Sequence, residues 1–108
     1  MIAYEQLVLR NAGYVPPELQ MKIRRTRLLV AGCGLGSVSA EIAVRTGFEN
    51  FVLVDGDVVD AHNLNRQVYK DKDVTLPKVQ ALAERLQAIH PGIHPQPMHT
   101  WLNNENVH

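Results

Sequence analysis

Residues 27–37 read Arg-Leu-Leu-Val-Ala-Gly-Cys-Gly-Leu-Gly-Ser, an apolar run that leads into a turn with three glycines. The apolar positions are consecutive rather than alternating, which is typical of a parallel-sheet strand buried on both faces. Val38, Ile42 and Ala43 follow with helical spacing, and Gly47 is suited to end that helix. A glycine-rich turn between a strand and a helix indicates phosphate binding, because its N–H groups and the helix dipole attract anions.

The flanking segments predict a small α/β domain. Residues 51–54 and 93–98 favour two further strands, and residues 76–89 favour a helix between them. Pro95 and Pro97 cannot donate to a β-ladder, so the third strand belongs at an edge of the sheet. We therefore predict an α/β, Rossmann-like half domain, βαβαβ with a parallel sheet of strand order 3-2-1.

Two short helices, residues 3–11 and 16–24, are predicted to precede this unit. The chain divides into an amino-terminal helical segment, residues 1–26, and a Rossmann-like domain, residues 27–108. A complete doubly wound domain has further strands and helices, so we expect this domain to be truncated. The uncovered strand edge and sheet face favour a homodimer, with the amino-terminal helices shielding part of that face.

Composition and charge exclude several classes of protein. The 108 residues suffice for one domain, and 11 basic residues balance 11 acidic ones. The neutral charge argues against a nucleic-acid partner, and no apolar run is long enough to cross a membrane. The single cysteine, Cys33, excludes an internal disulfide and a cysteine-cage zinc site within this chain. We expect a cytoplasmic protein in which Cys33 is a small residue of the turn rather than a nucleophile.

The glycine-rich turn and a distant carboxylate form the first candidate site. Asp55 ends the second strand 19 residues after Gly36, where a carboxylate can hold ribose hydroxyls. The motif fits two registers: Gly32 and Gly34 with Ser37 in the last position, or Gly34 and Gly36 with one residue missing. These features predict a nucleotide without specifying which one.

An unusually polar loop follows the second strand, where a dehydrogenase would have an ordinary helix. Residues 55–67 supply three carboxylates, two asparagines and an arginine, and Lys78 follows. Arg66 can fork across two phosphate oxygens, and Lys78 can act as a point charge. Two cations suit a triphosphate better than a dinucleotide pyrophosphate, whereas the alternative is a solvated loop with surface ion pairs.

Four segments resemble the nucleotide-site signatures of the ThiF/MoeB/HesA family, which includes the ubiquitin-activating enzymes. They are Leu29-Val-Ala-Gly-Cys-Gly-Leu-Gly-Ser37, Val54-Asp-Gly-Asp-Val58, Asn63-Leu-Asn-Arg-Gln67 and Pro77-Lys78. The similarity extends from about Tyr4 to Val107. It implies an adenylyltransferase that uses MgATP to activate a carboxylate, commonly the terminal glycine of a ubiquitin-like or sulfur-carrier protein, and releases pyrophosphate.

The resemblance also implies roles for individual residues. Gly34 and Gly36 would form the phosphate loop, with Gly32 and Ser37 at the ends of the motif. The residues implied to bind ribose or phosphate beyond that loop are Asp55, Asp57, Asn63, Asn65, Arg66, Gln67 and Lys78. Arg66 and Lys78 would be catalytic, because fixed cations stabilise charge on the transferring phosphoryl and on the leaving pyrophosphate. The magnesium-binding aspartate is expected beyond residue 108, with no metal ligand within this chain.

Two alternatives explain part of the pattern. A nicotinamide-dependent oxidoreductase would use the glycine turn and Asp55 but would leave residues 63–67 and Lys78 without a role. A non-catalytic module would keep the fold to bind a ubiquitin-like protein. Glu5 and the expected truncation keep that alternative open, because many family members carry, at the position of Glu5, an arginine that reaches the partner subunit's site. Trp101 is interpreted as either a core or an interface residue.

Overall fold

The computed structural model describes residues 3–60 and 67–103. Its helices are α1 (Tyr4–Leu7), α2 (Pro17–Arg25), α3 (Gly36–Thr46) and α4 (Lys78–Ile89), with short 3-10 turns at Leu9–Asn11 and Asp71–Asp73. Its strands are β1 (Arg27–Ala31), β2 (Asn50–Val54) and β3 (His94–Met98). Within the described ranges, no helix is both long and apolar enough to span a membrane.

The three strands form one parallel sheet in the order β1-β2-β3. The predicted strands, their order and the helices between them are confirmed. The register places Leu29 beside Val52, and Val52 beside Gln96. Because the strands are parallel, all three carboxyl ends meet at one edge of the sheet, next to the glycine-rich turn.

Helices α3 and α4 cover the same face of the sheet. Phe51 and Leu53 of β2 lie at the centre of the core, packed against Val44 of α3 and Leu82 and Leu86 of α4. All five side chains are fully buried, and β2 is buried because it is the central strand. Burial of such aliphatic and aromatic side chains contributes roughly 1.5–3 kcal/mol each.

The opposite face of the sheet is open, as expected for a chain whose two crossover helices lie on one face of the sheet. Leu29 is 54% exposed, and exposed and half-buried residues alternate along β1. The consecutive apolar residues of β1 therefore leave one face without cover among the described residues. The physical reason is the number of layers, because both crossover helices lie on one face and no described element covers Leu29.

The amino-terminal segment is anchored at the turn between α3 and β2. The Tyr4 hydroxyl donates to the Gly47 carbonyl at 2.8 Å, and the side-chain amides of Asn11 and Gln20 both donate to the Thr46 carbonyl at 3.0 Å. These contacts satisfy carbonyls that the end of α3 leaves without intrahelical partners. The segment was expected to shield only part of the open sheet face, and Leu29 on that face is exposed.

Candidate functional site

The turn between β1 and α3 has the form of a phosphate loop. Gly32 has a φ of +94°, a conformation that residues with a side chain rarely adopt, and its carbonyl accepts from the Gly36 N–H at 3.0 Å. A Cβ on Gly36 would lie 2.7 Å from Cγ1 of Val30, so this glycine lets α3 approach β1 closely. The structure thus assigns the tight turn to Gly32 and the close packing of helix on strand to Gly36.

Ser37 lies behind this turn. Its hydroxyl donates to the Gly34 carbonyl at 2.8 Å, and the residue is fully buried in the first turn of α3. The side chain therefore closes the loop from inside the protein, so the role of Ser37 that the structure describes is to hold the loop in shape.

Asp55 connects the glycine-rich turn to the loop after β2. One carboxylate oxygen accepts from the Cys33 N–H and the other from the Asp57 N–H, both at 2.8 Å. Each oxygen has a second lone-pair site, so the carboxylate can still accept from ribose hydroxyls. Asp57 acts through its backbone, because its carbonyl also accepts from the Lys78 N–H at 3.0 Å.

Cys33 is the small, unreactive residue that the sequence predicts. Burial raises the pKa of its thiol to about 12, and the negative charge of Asp55 adds to the increase. The side chain is inaccessible to solvent, so the thiol stays neutral and shielded at physiological pH.

Lys78 begins α4 and reaches the glycine-rich turn. Its Nζ lies 3.3 Å from the position that a Cβ on Gly34 would occupy, and only 7% of the residue is exposed. A short antiparallel bridge between Val58 and Pro77 holds the start of α4 in this position. In the part of the chain that the structure describes, no carboxylate pairs with Lys78. A buried ammonium is costly without a counter-charge, so the site is suited to an anion.

Gln67 lies beside Lys78 on the same turn. Its Nε2 is 3.1 Å from the Cβ position of Gly34, so a side chain there would press on Gln67. Its Oε1 is buried and has no hydrogen-bond partner among the described residues. Because buried polar atoms are nearly always satisfied, this oxygen indicates a donor from outside the described residues.

Tyr69 is a site residue that the sequence did not single out. Its hydroxyl donates to the Cys33 carbonyl at 2.5 Å and lies 3.4 Å from the Lys78 carbonyl, which ties the glycine-rich turn to the start of α4. Burial is the main cause that raises the pKa of this phenol, so it stays protonated and donates. The sequence signal for this role was an aromatic residue shortly after a polar loop. That signal could not reveal the hydrogen-bond partners of Tyr69, because Cys33 lies 36 residues away in the chain.

A cavity of about 270 Å³ lies at the carboxyl ends of the strands. The residues that line it are Ala31, Gly32, Val54, Asp55, Thr100, Trp101 and Leu102. The structure thus brings Gly34, Gln67 and Lys78 together at the turn, with Asp55 between the turn and this cavity. The predicted Asn63, Asn65 and Arg66 lie outside the described residues.

The described part of the candidate site lacks a cluster of metal-binding side chains. Within residues 3–60 and 67–103, no three or more His, Cys, Asp or Glu side chains converge as metal ligands. His90, one of three histidines near the third strand, instead contacts Glu49 at 2.6 Å. The described site therefore consists of backbone amides, one amide side chain, one carboxylate and one cation.

A turn of this kind at the carboxyl ends of a parallel sheet defines a mononucleotide-binding Rossmann-like half domain. The chain belongs to the ThiF family, whose sequence model matches residues 7–108.

Three comparisons place the chain within that family. It is 34% identical over 96 residues to the SAMP-activating enzyme E1 of Haloferax volcanii, covering 87% of this chain and 36% of that protein. It is 33% identical over 106 residues to the sulfur carrier protein adenylyltransferase of Thermus thermophilus, covering 96% and 38%. Among solved structures, it is similar to the Escherichia coli tRNA N6-threonylcarbamoyladenosine dehydratase TcdA in complex with ATP. That alignment has a TM-score of 0.91 and 28% identity and covers 99% of this chain and 45% of TcdA. The chain spans about two-fifths of the length of these curated relatives.

Proposed function

We propose that this chain is the ATP-binding part of an adenylyltransferase that activates the terminal carboxylate of a ubiquitin-like or sulfur-carrier protein. The observation that carries the proposal is the arrangement of Gly34, Gln67 and Lys78. Among the described residues, a buried ammonium without a carboxylate partner and an amide oxygen without a hydrogen-bond partner lie close to this glycine. The names of the two curated relatives and the ATP complex of TcdA support the same activity.

The chemistry needs charge stabilisation rather than a protein nucleophile. The carboxylate of the acceptor attacks the α-phosphorus of ATP, an acyl-phosphate bond forms, and the bond to pyrophosphate breaks. Negative charge grows on the phosphoryl oxygens and on the leaving pyrophosphate. Lys78 is positioned to stabilise that charge from the glycine-rich turn, and Arg66 is proposed to contribute a second cation. Because Cys33 is buried and neutral, it takes no part as a nucleophile.

Asp55 and Gln67 are the residues proposed to contact the nucleotide itself. Asp55 would accept from the ribose hydroxyls while its two backbone bonds keep the turn in place. Gln67 would receive a hydrogen bond at Oε1 when ligand or a bound water enters. Magnesium would supply positive charge that neutralises the phosphates, and the described residues contain no cluster of metal ligands to hold it.

Titration calorimetry on the 108-residue chain tests nucleotide binding. Lys78→Ala removes the cation, and we expect it to weaken ATP binding about 10-fold or more, since hydrogen bonds to charged groups contribute roughly 1.5–3 kcal/mol. Lys72→Ala is the matched control, because this lysine is exposed and lies outside the site. NAD serves as the rival ligand. Tighter binding of NAD than of ATP would favour the oxidoreductase. An equal loss of ATP affinity in Lys78→Ala and Lys72→Ala would show that Lys78 does not belong to the site.

Catalysis is tested in the natural full-length protein by carboxylate-dependent exchange of pyrophosphate into ATP. We expect Arg66→Ala to lower exchange about 100- to 1000-fold and Arg66→Lys to restore little of it. Exchange that is absent from the unaltered protein would instead favour the non-catalytic module.

We propose a homodimer, because one face of the sheet is open and no described strand pairs with the outer edge of β1. The cytoplasmic setting expected from the sequence stays a proposal. Leu29 on the open face and Ile42 on the outer side of α3 are exposed apolar residues, and an unpaired strand edge can pair with a second chain. Sedimentation of the 108-residue chain at micromolar concentration tests this. A monomer that unfolds cooperatively would contradict it.

A further inference from the structure

Trp101 lies against the loop that follows β2. A Cβ built on Gly56 would sit only 2.3 Å from Nε1 and Cε2 of the indole and 2.7 Å from its Cδ1. No side chain fits between the two residues, so glycine at position 56 is what allows the indole to rest on the backbone.

Two hydrogen bonds to backbone carbonyls hold the end of β3 and the segment after it beside this loop. The Asp55 N–H donates to the Met98 carbonyl at 3.3 Å, and His99 Nε2 lies 3.0 Å from the Gly56 carbonyl. The segment therefore continues the sheet contact beyond the last strand pair. Its course fixes Trp101 at the carboxyl-terminal edge of the sheet, where the nucleotide is proposed to bind.

The indole also lines the cavity of about 270 Å³ that contains Asp55 and Gly32. This large aromatic residue is 60% exposed, although burial of an indole stabilises proteins strongly. The rest of the lining includes apolar groups from Ala31, Val54 and Leu102. An aromatic face beside an apolar recess and one carboxylate is the chemistry that a nucleoside needs, a flat wall for the base and an acceptor for the ribose.

We propose that Trp101 forms the base-binding wall of the site, on which the purine ring of ATP stacks. The inference rests on the proposed nucleotide binding, because phosphates at Gly34 and Lys78 and ribose at Asp55 direct the base toward this cavity. Gly56 is the residue that positions the indole. Stacking uses the π-face that every base possesses, so Trp101 contributes to affinity and not to the choice between adenine and guanine.

The experiment compares a ligand with a base and a ligand without one. The 108-residue chain is titrated with ATP and with inorganic tripolyphosphate, as wild type and as Trp101→Leu. Loss of base stacking should weaken ATP binding about 5- to 150-fold and leave tripolyphosphate binding unchanged. GTP affinity should fall by the same factor as ATP affinity. Tyr14→Leu is the matched control, because Tyr14 is an aromatic residue that is 90% exposed and lies in the amino-terminal segment.

Two further readouts do not depend on the Trp101 substitution. Trp101 is the single tryptophan of the chain, so ATP should quench its emission in the wild type, and tripolyphosphate should not. Gly56→Ala must displace the indole and should weaken ATP binding in the same way, with tripolyphosphate binding retained.

The outcomes separate this inference from the proposed function. If Lys78→Ala weakens both ligands while Trp101→Leu changes neither, nucleotide binding stands and the stacking role of Trp101 is overturned. Equal weakening of ATP and tripolyphosphate in Trp101→Leu would also overturn it. If the wild type binds neither ligand, the proposed function fails and this inference fails with it.

Discussion

Glu49 connects three elements at the end of the sheet opposite the candidate site, and replacing it with glutamine is expected to destabilise the fold strongly. Its Oε1 accepts from Arg24 of α2 at 2.8 Å, and its Oε2 contacts Nε2 of His90, just after α4, at 2.6 Å. Arg24 also stacks on the Tyr4 ring, 4.0 Å from its centroid. The Glu49→Gln side chain keeps the shape but carries no charge and replaces one acceptor oxygen with a donor.

The expected magnitude follows from the burial of the two contacts. Glu49 and His90 are both buried, so their bond falls in the range of roughly 1.5–3 kcal/mol for hydrogen bonds to charged groups. The Arg24 side chain is 37% exposed, so its ion pair is screened and contributes at most about 1 kcal/mol. The sum, about 1.5–4 kcal/mol, should lower the Tm by roughly 6–30 °C for a domain of this size.

Urea unfolding followed by tyrosine and tryptophan fluorescence gives the change in the free energy of unfolding. Glu84→Gln is the matched control, because Glu84 is an exposed residue of α4, and we expect it to change stability by less than about 0.5 kcal/mol. A change in Glu49→Gln as small as in this control would refute the reasoning that this carboxylate holds the three elements together.

The pH dependence of that difference gives a second check. Burial alone would raise the pKa of Glu49, but the hydrogen bonds from Arg24 and His90 outweigh it and hold the pKa below its ordinary value of 4.5. A lowered pKa means that the carboxylate stabilises the fold fully above the unfolded value and loses this contribution as pH falls through the folded one. The stability difference between wild type and Glu49→Gln should therefore be constant above about pH 6 and shrink below pH 4.5.

Two further predictions concern the glycine-rich turn. Gly36→Ala places a Cβ 2.7 Å from Val30 and should lower the free energy of unfolding by about 1–3 kcal/mol and weaken ATP binding, as measured by urea unfolding and calorimetry. Gly13→Ala is its control, since none of the surrounding described residues comes within 4 Å of the added Cβ. If both substitutions changed the free energy of unfolding equally, α3 would have moved away from Val30 at no cost, against the packing role of Gly36. Cys33 should react with a thiol reagent at pH 8 far more slowly in the native chain than in guanidinium, because burial raises its pKa to about 12. Equal rates would contradict its burial.

The amino-acid sequence by itself determined the order of elements and the place of the nucleotide turn. Strand β1, the glycine-rich turn and α3 are adjacent in the chain, so apolar runs, glycines and helical spacing predicted them within one or two residues. The family resemblance followed from the same local segments, and the match over residues 7–108 confirms it.

Tertiary structure alone decided which residues act together. The sequence could not show that Tyr69 bonds the Cys33 carbonyl, or that Glu49 meets His90, because these partners are 36 and 41 residues apart. Nor could it separate the role of Gly36, which packs on Val30, from that of Ser37, whose hydroxyl bonds back to the loop. A local pattern reports which backbone conformation is favoured, whereas a side chain's partner depends on where the other strands and helices bring their residues. Leu29 illustrates this, because the sequence predicted an uncovered sheet face, and only the tertiary structure showed that the amino-terminal helices dock at the turn between α3 and β2 and leave Leu29 exposed.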